Sequence, residues 1–320
     1  MKALEPSSLA EIRAARERIA GSVLRTPLVR IEIADAPAEL WLKLESLQPI
    51  GSFKLRGASN AMARAERSAL ARGVYTASAG NMAQGVAWNA RRLGIPCSVV
   101  VPDNAPRAKL DAIERLGARV VPVPYERWWQ VLVEHRYPGL DGLFVHPVSD
   151  PAVIAGNATI GLEILEDLPD ADAVVVPYGG GGLSCGIASA MRALRPSTRV
   201  FAAEVETAAP LSAALAAGAP CAIEHRPSFV DGIGGRGVLA EMWPLASSLL
   251  AGSIVCSVAE VAAAVRLIAT RNRVVAEGAG AAALAAALTG SAGSGRIVCV
   301  VSGGNIDPAK LARILDGGVP

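Results

Sequence analysis

Four segments of this 320-residue chain bring together residue types that do chemistry. In Gly51-Ser52-Phe53-Lys54-Leu55-Arg56-Gly57-Ala58 a lysine follows a Gly-Ser turn and opens what reads as a helix. Standing alone, such a lysine is a solvated surface charge. The apolar Phe53 and Leu55 imply partial burial, which lets an amine shed its proton and form a Schiff base with an aldehyde. Ser78-Ala79-Gly80-Asn81-Met82-Ala83-Gln84-Gly85 ends a β-rich run and opens a helix. Its free amides and small side chains suit a carboxylate, although the same pattern also serves as an ordinary N-cap. Val174-Val175-Val176-Pro177-Tyr178 runs into Gly179-Gly180-Gly181-Gly182 and Leu183, where glycine amides can cradle a phosphate or simply form a flexible loop. Val301-Ser302-Gly303-Gly304-Asn305 ends the last apolar run, and Ser302 by itself is a turn residue.

Two other chemistries share the glycine region. Gly182-Leu183-Ser184-Cys185-Gly186 has the nucleophile-elbow pattern, which would make Ser184 a hydrolase serine. That chemistry needs an acid and then a histidine downstream, and only His225 comes later, with Glu204, Glu206 and Glu224 as the acids between. A dinucleotide site fails because no Gly-x-Gly-x-x-Gly register exists there. The five cysteines, Cys97, Cys185, Cys221, Cys256 and Cys299, form no Cys-x-x-Cys pair and read as buried thiols in a reducing cytosol. His135, His146 and His225 lack metal-ligand spacing, so no metal is expected.

The elements that must position these segments are set by periodicity. Ser8-Leu9-Ala10-Glu11 reads as a capping box that opens a helix from Leu9 to Ala20. From Val74 onward β-rich runs alternate with helical stretches: Val74 to Thr76, Met82 to Leu93, Cys97 to Val101, Pro106 to Leu116 and Arg119 to Val123. The rhythm resumes with Ala173 to Val176, Leu183 to Leu194, Arg199 to Ala203, Val258 to Ala269 and Ile297 to Val301. Such alternation gives a parallel sheet, and continuous apolar strands mean both faces are covered. The Ala/Gly-rich stretch from Glu277 to Gly295 reads as a close-packed helix and its loop. Hinges near Glu66 to Gly73 and at His146 to Pro151 divide the chain into a large domain built from both its ends, 1–68 with 150–320, and a small inserted domain, 69–149.

Composition narrows the partners. With 52% apolar residues, 19% charged residues and a net charge of +2, the chain is neither a nucleic-acid binder nor a membrane protein. Its first twenty residues carry acids and arginines without an apolar core, so a cytoplasmic location and a small-molecule partner are expected.

Taken together, the segments resemble the threonine and serine dehydratases, members with serine racemase of the tryptophan-synthase-β-like family of pyridoxal-phosphate enzymes (fold type II). The anchors are Gly51 to Ala58, Ser78 to Gly85, His146-Pro147 with Ala155-Gly156, Gly179 to Leu183, Val230-Asp231-Gly232, Ala276 to Gly280 and Ser302 to Asn305. The resemblance implies an α/β fold of two domains, each with a mostly parallel twisted sheet flanked by helices, and a homodimer. It implies that Lys54 is the catalytic residue, holding pyridoxal 5'-phosphate as a Schiff base and then acting as the base at Cα. Gly179, Gly180, Gly181, Gly182 and Leu183 would bind the cofactor phosphate, Asn81 the ring hydroxyl, Phe53 the ring face and Ser302 the ring nitrogen. Ser78, Ala79, Gly80, Asn81 and Met82 would hold the carboxylate of a 3-hydroxy amino acid such as L-threonine, L-serine or the bulkier phenylserine, which loses water and ammonia to give a 2-oxo acid. An amino-acid racemase on the same cofactor is the alternative, disfavoured because Ala79 stands where racemases carry serine. The sequence departs from the family at Met82, usually histidine, and at Ile50, usually threonine. It also departs at the cation site, where Glu204, Ala208 and Pro210 would be the counterparts and proline offers no carboxylate. An appended regulatory domain is not expected, because few residues remain after Asn305.

Overall fold

The computed structural model describes residues 4–320. Among the described residues the strands are β1 Leu28–Arg30, β2 Glu39–Leu44, β3 Val74–Ala77, β4 Cys97–Pro102, β5 Arg119–Val123, β6 Leu143–Phe144, β7 Ala173–Pro177, β8 Arg199–Val205, β9 Gly252–Cys256 and β10 Arg296–Val301. One sheet has the order β1-β2-β10-β7-β8-β9, antiparallel only between β1 and β2; the other, β5-β4-β3-β6, is parallel throughout. The helices through the first half are α1 Leu9–Ile19, α2 Lys54–Arg64, α3 Arg67–Ala71, α4 Asn81–Leu93, α5 Arg107–Arg115, α6 Tyr125–Glu134 and α7 Pro151–Asp167. After them come α8 Ser184–Leu194, α9 Pro210–Ala217, α10 Trp243–Leu249, α11 Val258–Leu267, α12 Gly278–Leu288 and α13 Pro308–Leu315. None is long and apolar enough to cross a membrane.

Strands β7 and β10 are buried along nearly their whole length, as a sheet covered on both faces requires. Adjacent in the sheet, they end at Pro177 and Val301, just before Gly179 and Ser302, so two distant segments of sequence meet at one edge. Strand β3 delivers Ser78 in the same way from the smaller sheet. Ligands of open α/β sheets gather at these carboxyl ends.

Helix α2 carries Lys54 and is locked from behind. It crosses α7 closely because both helices present glycine: a Cβ at Gly156 would stand 2.5 Å from the Arg56 carbonyl, and one at Gly57 would stand 2.7 Å from a Val153 methyl. Beside this crossing Arg56 is buried between two carboxylates. It reaches Glu45 at 2.8 Å and Glu163 at 2.7 Å, and Lys43 Nζ donates to Glu163 at 2.6 Å and to the Thr26 carbonyl at 2.6 Å. Two acids and two bases thus balance in the core. Burial alone would raise the Glu45 pKa, yet the Arg56 guanidinium outweighs it and holds that carboxyl below its ordinary value.

Several elements differ from the expectation. Ser8 Oγ accepts from the Glu11 amide, but the Glu11 carboxylate turns to Arg18 and Arg64, leaving only half a capping box; the complete one is Ser257 with Glu260. Strands β1, β2, β6 and β9 and helices α3, α7, α9, α10 and α13 are additional to the alternating pattern. Cys221 is half-buried, while the other four cysteines are buried.

Removing the guanidinium leaves Glu45 and Glu163 buried with Lys43 as the one remaining cation, and breaking such a pair costs about 3–5 kcal/mol. Arg56→Ala should therefore shift the urea unfolding midpoint sharply downward, and an unchanged midpoint would show that water or Lys43 replaces the lost charge.

Candidate active site

A cavity of about 500 Å³ opens where the carboxyl ends of the two sheets face each other. Every expected site residue lines it: Phe53, Lys54, Ser78, Ala79, Gly80, Asn81, Met82, the four glycines Gly179 to Gly182, Leu183 and Ser302. Trp128 also reaches its wall, and both it and Trp129, one helical step on, pack on the apolar cluster beneath α6.

Lys54 Nζ donates to the Pro147 carbonyl at 2.7 Å and lies 5.2 Å from the centre of the Phe53 ring. Among the described residues no carboxylate neutralises it, and loss of water pushes its pKa down to about 8. A lysine tuned this way yields free amine near neutral pH and can attack an aldehyde or accept a proton.

The glycine loop is built to face an anion. Among the described residues, the amides of Gly179, Gly180, Gly181, Gly182 and Leu183 donate to nothing. Gly181 has φ +94°, which favours glycine, while a Cβ at Gly180 would stand 2.5 Å from a Val148 methyl. A Cβ at Gly179 would rest in ordinary contact with Ile233, 3.6 Å from its Cα, and all four glycines line the cavity. Across the cavity, at the start of α4, Ser78 Oγ accepts from the Gly80 amide at 3.2 Å, and among the described residues the amides of Ala79, Asn81 and Met82 find no acceptor. This is a second anion position, at a helix start.

Asn81 is oriented by a directional chain. Asn305 Nδ2 donates to the Ile50 carbonyl at 2.8 Å and to Asn81 Oδ1 at 2.8 Å; Asn81 Nδ2 in turn donates to Glu277 Oε1 at 2.8 Å. The backbone carbonyl can only accept, which fixes each amide and leaves Asn81 one N–H to give. Glu277 stands in Ala276 to Gly280, although the sequence alone assigned it no role in the site. Burial pushes its pKa up to about 7; Asn81 opposes this, Asp231 adds to it and Lys109 opposes it. Lys109 and Asp231 themselves pair at 3.0 Å across the cavity mouth. Ser302 is buried, and its hydroxyl has no protein partner among the described residues.

The competing chemistries find no support in this geometry. Ser184 Oγ is buried and donates to the Gly181 carbonyl, so it is no nucleophile. Glu204 caps α9: its oxygens accept from the Leu211 and Ser212 amides at 2.8 and 2.7 Å and from Ser253 Oγ at 2.6 Å.

A reactive lysine, a five-amide cradle and an unpartnered hydroxyl on one cavity fit an aldehyde cofactor that carries a phosphate and a ring nitrogen. Comparison with known proteins agrees with this fit. Residues 19–303 match the family model described as pyridoxal-phosphate dependent enzyme. The chain is 38% identical to L-threonine ammonia-lyase of Thermotoga maritima over 98% of its length and 79% of that protein. It is 35% identical to the catabolic L-threonine dehydratase of Escherichia coli (strain K12), covering 97% of this chain and 96% of that one. The solved structure of maize serine racemase superposes with a TM-score of 0.87 at 32% identity, over 98% and 99% of the two chains.

The Glu277 carboxyl carries a pH signature. A group whose native pKa of about 7 lies above its ordinary value of 4.5 binds more protons in the folded state, so its ionisation lowers stability as pH rises through that window. Glu277→Gln should raise the thermal midpoint more at about pH 8 than at about pH 5, and an equal effect at both would show that the carboxyl does not titrate there.

Proposed function

The chain belongs to the pyridoxal-phosphate-dependent enzyme family, and from that premise we propose that it is a lyase removing water and then ammonia from a 3-hydroxy amino acid to give a 2-oxo acid. The observation that carries this reading is the Lys54 amine, uncompensated by any carboxylate, in one cavity with the unbonded amides of Gly179 to Leu183. Bound pyridoxal phosphate would supply the electron sink for the charge left when the Cα–H bond breaks. Lys54 holds the cofactor and then takes the Cα proton. The glycine loop and Leu183 would hold the phosphate, Phe53 would pack on the ring, and Asn81 would give its remaining N–H to the ring hydroxyl. Ser78, with the amides of Ala79 to Met82, holds the substrate carboxylate.

The Ser302 hydroxyl is neutral and would face the ring nitrogen without protonating it, a setting that would favour prompt loss of the β-hydroxyl over transamination. Racemisation needs a proton donor on the face opposite Lys54, and Ala79 has none to give. The free cysteines support a reducing cytoplasmic setting, and assembly as a homodimer completes the reading.

Within this class we infer a substrate side chain larger or more apolar than serine's. Met82, buried and facing the cavity, adapts its thioether to an alkyl or aryl group, and Trp128 offers an indole face close by.

With L-serine the purified protein should release 2-oxo acid while D-serine stays at background, and Lys54→Ala should abolish turnover. D-serine appearing as fast as the 2-oxo acid would make the protein a racemase. For L-threo-phenylserine against L-threonine, burial of the ring is worth about 2 kcal/mol, roughly thirtyfold in kcat/KM. Equal efficiencies would remove the larger-substrate reading and leave the lyase intact.

A further inference from the structure

Pro147, Val148 and Ser149 lead from β6 toward α7 and touch the site twice on the way. The Pro147 carbonyl receives Lys54 Nζ at 2.7 Å, and Val148 lies over the glycine loop, its carbonyl 2.7 Å from where a Gly182 Cβ would be. Behind this linker stands His146, 2% exposed. Its Nδ1 accepts from the Ser149 amide at 2.8 Å, the Val148 amide at 3.1 Å and Ser149 Oγ at 3.0 Å, and its Nε2 lies 3.2 Å from the Leu132 carbonyl on α6.

Amides can only donate and a carbonyl can only accept, so the ring is neutral with its proton on Nε2. Burial opposes a second proton, as do the His135 ring stacked 4.3 Å away and Lys54; together they push the His146 pKa down to about 3. The imidazole therefore serves as a fixed strut across the working pH range, its two nitrogens gripping the linker on one side and α6 on the other.

We propose that His146 is a positioning residue for Lys54: it holds the linker so that the Pro147 carbonyl stands ready for the ammonium that Lys54 becomes on taking the Cα proton. The Cα–H bond breaks, the proton joins the Lys54 nitrogen, and the electron pair stays with the substrate. A carbonyl that accepts from the charged amine stabilises the state after transfer more than the state before it. The other charged groups on the cavity are Lys109, paired with Asp231, and Glu277, bonded to Asn81; His135 stands beside His146, 3.9 Å from Glu241. None of these offers the ammonium a closer acceptor than Pro147. The inference rests on Lys54 being the base, as proposed above.

Two substitutions separate the ends of the ring. His146→Asn keeps an amide oxygen near the Nδ1 position, whereas His146→Gln reaches the Nε2 position and leaves the linker amides without an acceptor. His146→Gln should lower kcat on L-threonine about tenfold or more with KM within about twofold, and move the acid limb of the kcat–pH profile to lower pH. Loosened Val148 should also raise the pyridoxal phosphate Kd, read from the visible band, about fivefold. His146→Asn should recover most of these losses. If His146→Gln matches the parent in acid limb and Kd, or if both variants lose kcat and thermal midpoint alike, the inference is overturned. Lys54→Ala retaining turnover would overturn the functional reading itself, whereas Lys54→Ala dead beside His146 variants that match the parent would overturn this inference alone.

Discussion

The buried guanidinium of Arg56 is the constraint on which the rest of the site depends. Residues two apart on a helix point about 200° apart, so Arg56 and Lys54 leave α2 on nearly opposite sides. Both cations lose water, and their fates diverge with their partners. Arg56 meets Glu45 and Glu163 and has its pKa raised, whereas Lys54 meets only a neutral carbonyl and has its own lowered to about 8. One desolvated charge is matched and becomes structural, and the other is unmatched and becomes reactive. The matched charge fixes the start of the helix that presents the unmatched one.

Around that lysine the fold uses backbone instead of side chains. Strands β7 and β10 of one sheet and β3 of the other release their chains at the cavity, and the turns after β3 and β7 carry small residues whose amides are unbonded among the described residues. Few acidic groups line the cavity, and each is engaged: Asp231 with Lys109, and Glu277 with Asn81. An interior that offers donors and little free negative charge suits a ligand with a phosphate and a carboxylate.

How much of this is legible in the sequence depends on the range of the interactions. Strand–glycine–helix patterns announce the 179–182 loop, and all residues named for the site do line one cavity. The features that stay hidden rest on contacts between residues far apart in sequence. Asn81 and Glu277 are 196 positions apart, and Lys54 meets the Pro147 carbonyl across 93 positions. No local pattern encodes which backbone carbonyl will face a given lysine. The Ser8 capping box fails because Arg18, seven positions along the same helix, and Arg64, 53 positions away, claim the Glu11 carboxylate. The antiparallel β1–β2 pair escapes because three residues are too few to show a period.

The five idle amides of residues 179–183 also tie the protein's abundance to its surroundings. Whatever anion they take binds the native chain and not the unfolded one, so occupancy draws the folding equilibrium toward the native state by mass action, about 2.7 kcal/mol at a hundredfold excess over Kd. The empty form is the less durable one, more open to proteolysis as it breathes. Cofactor supply in the cell would then govern how many copies survive as well as how many are active.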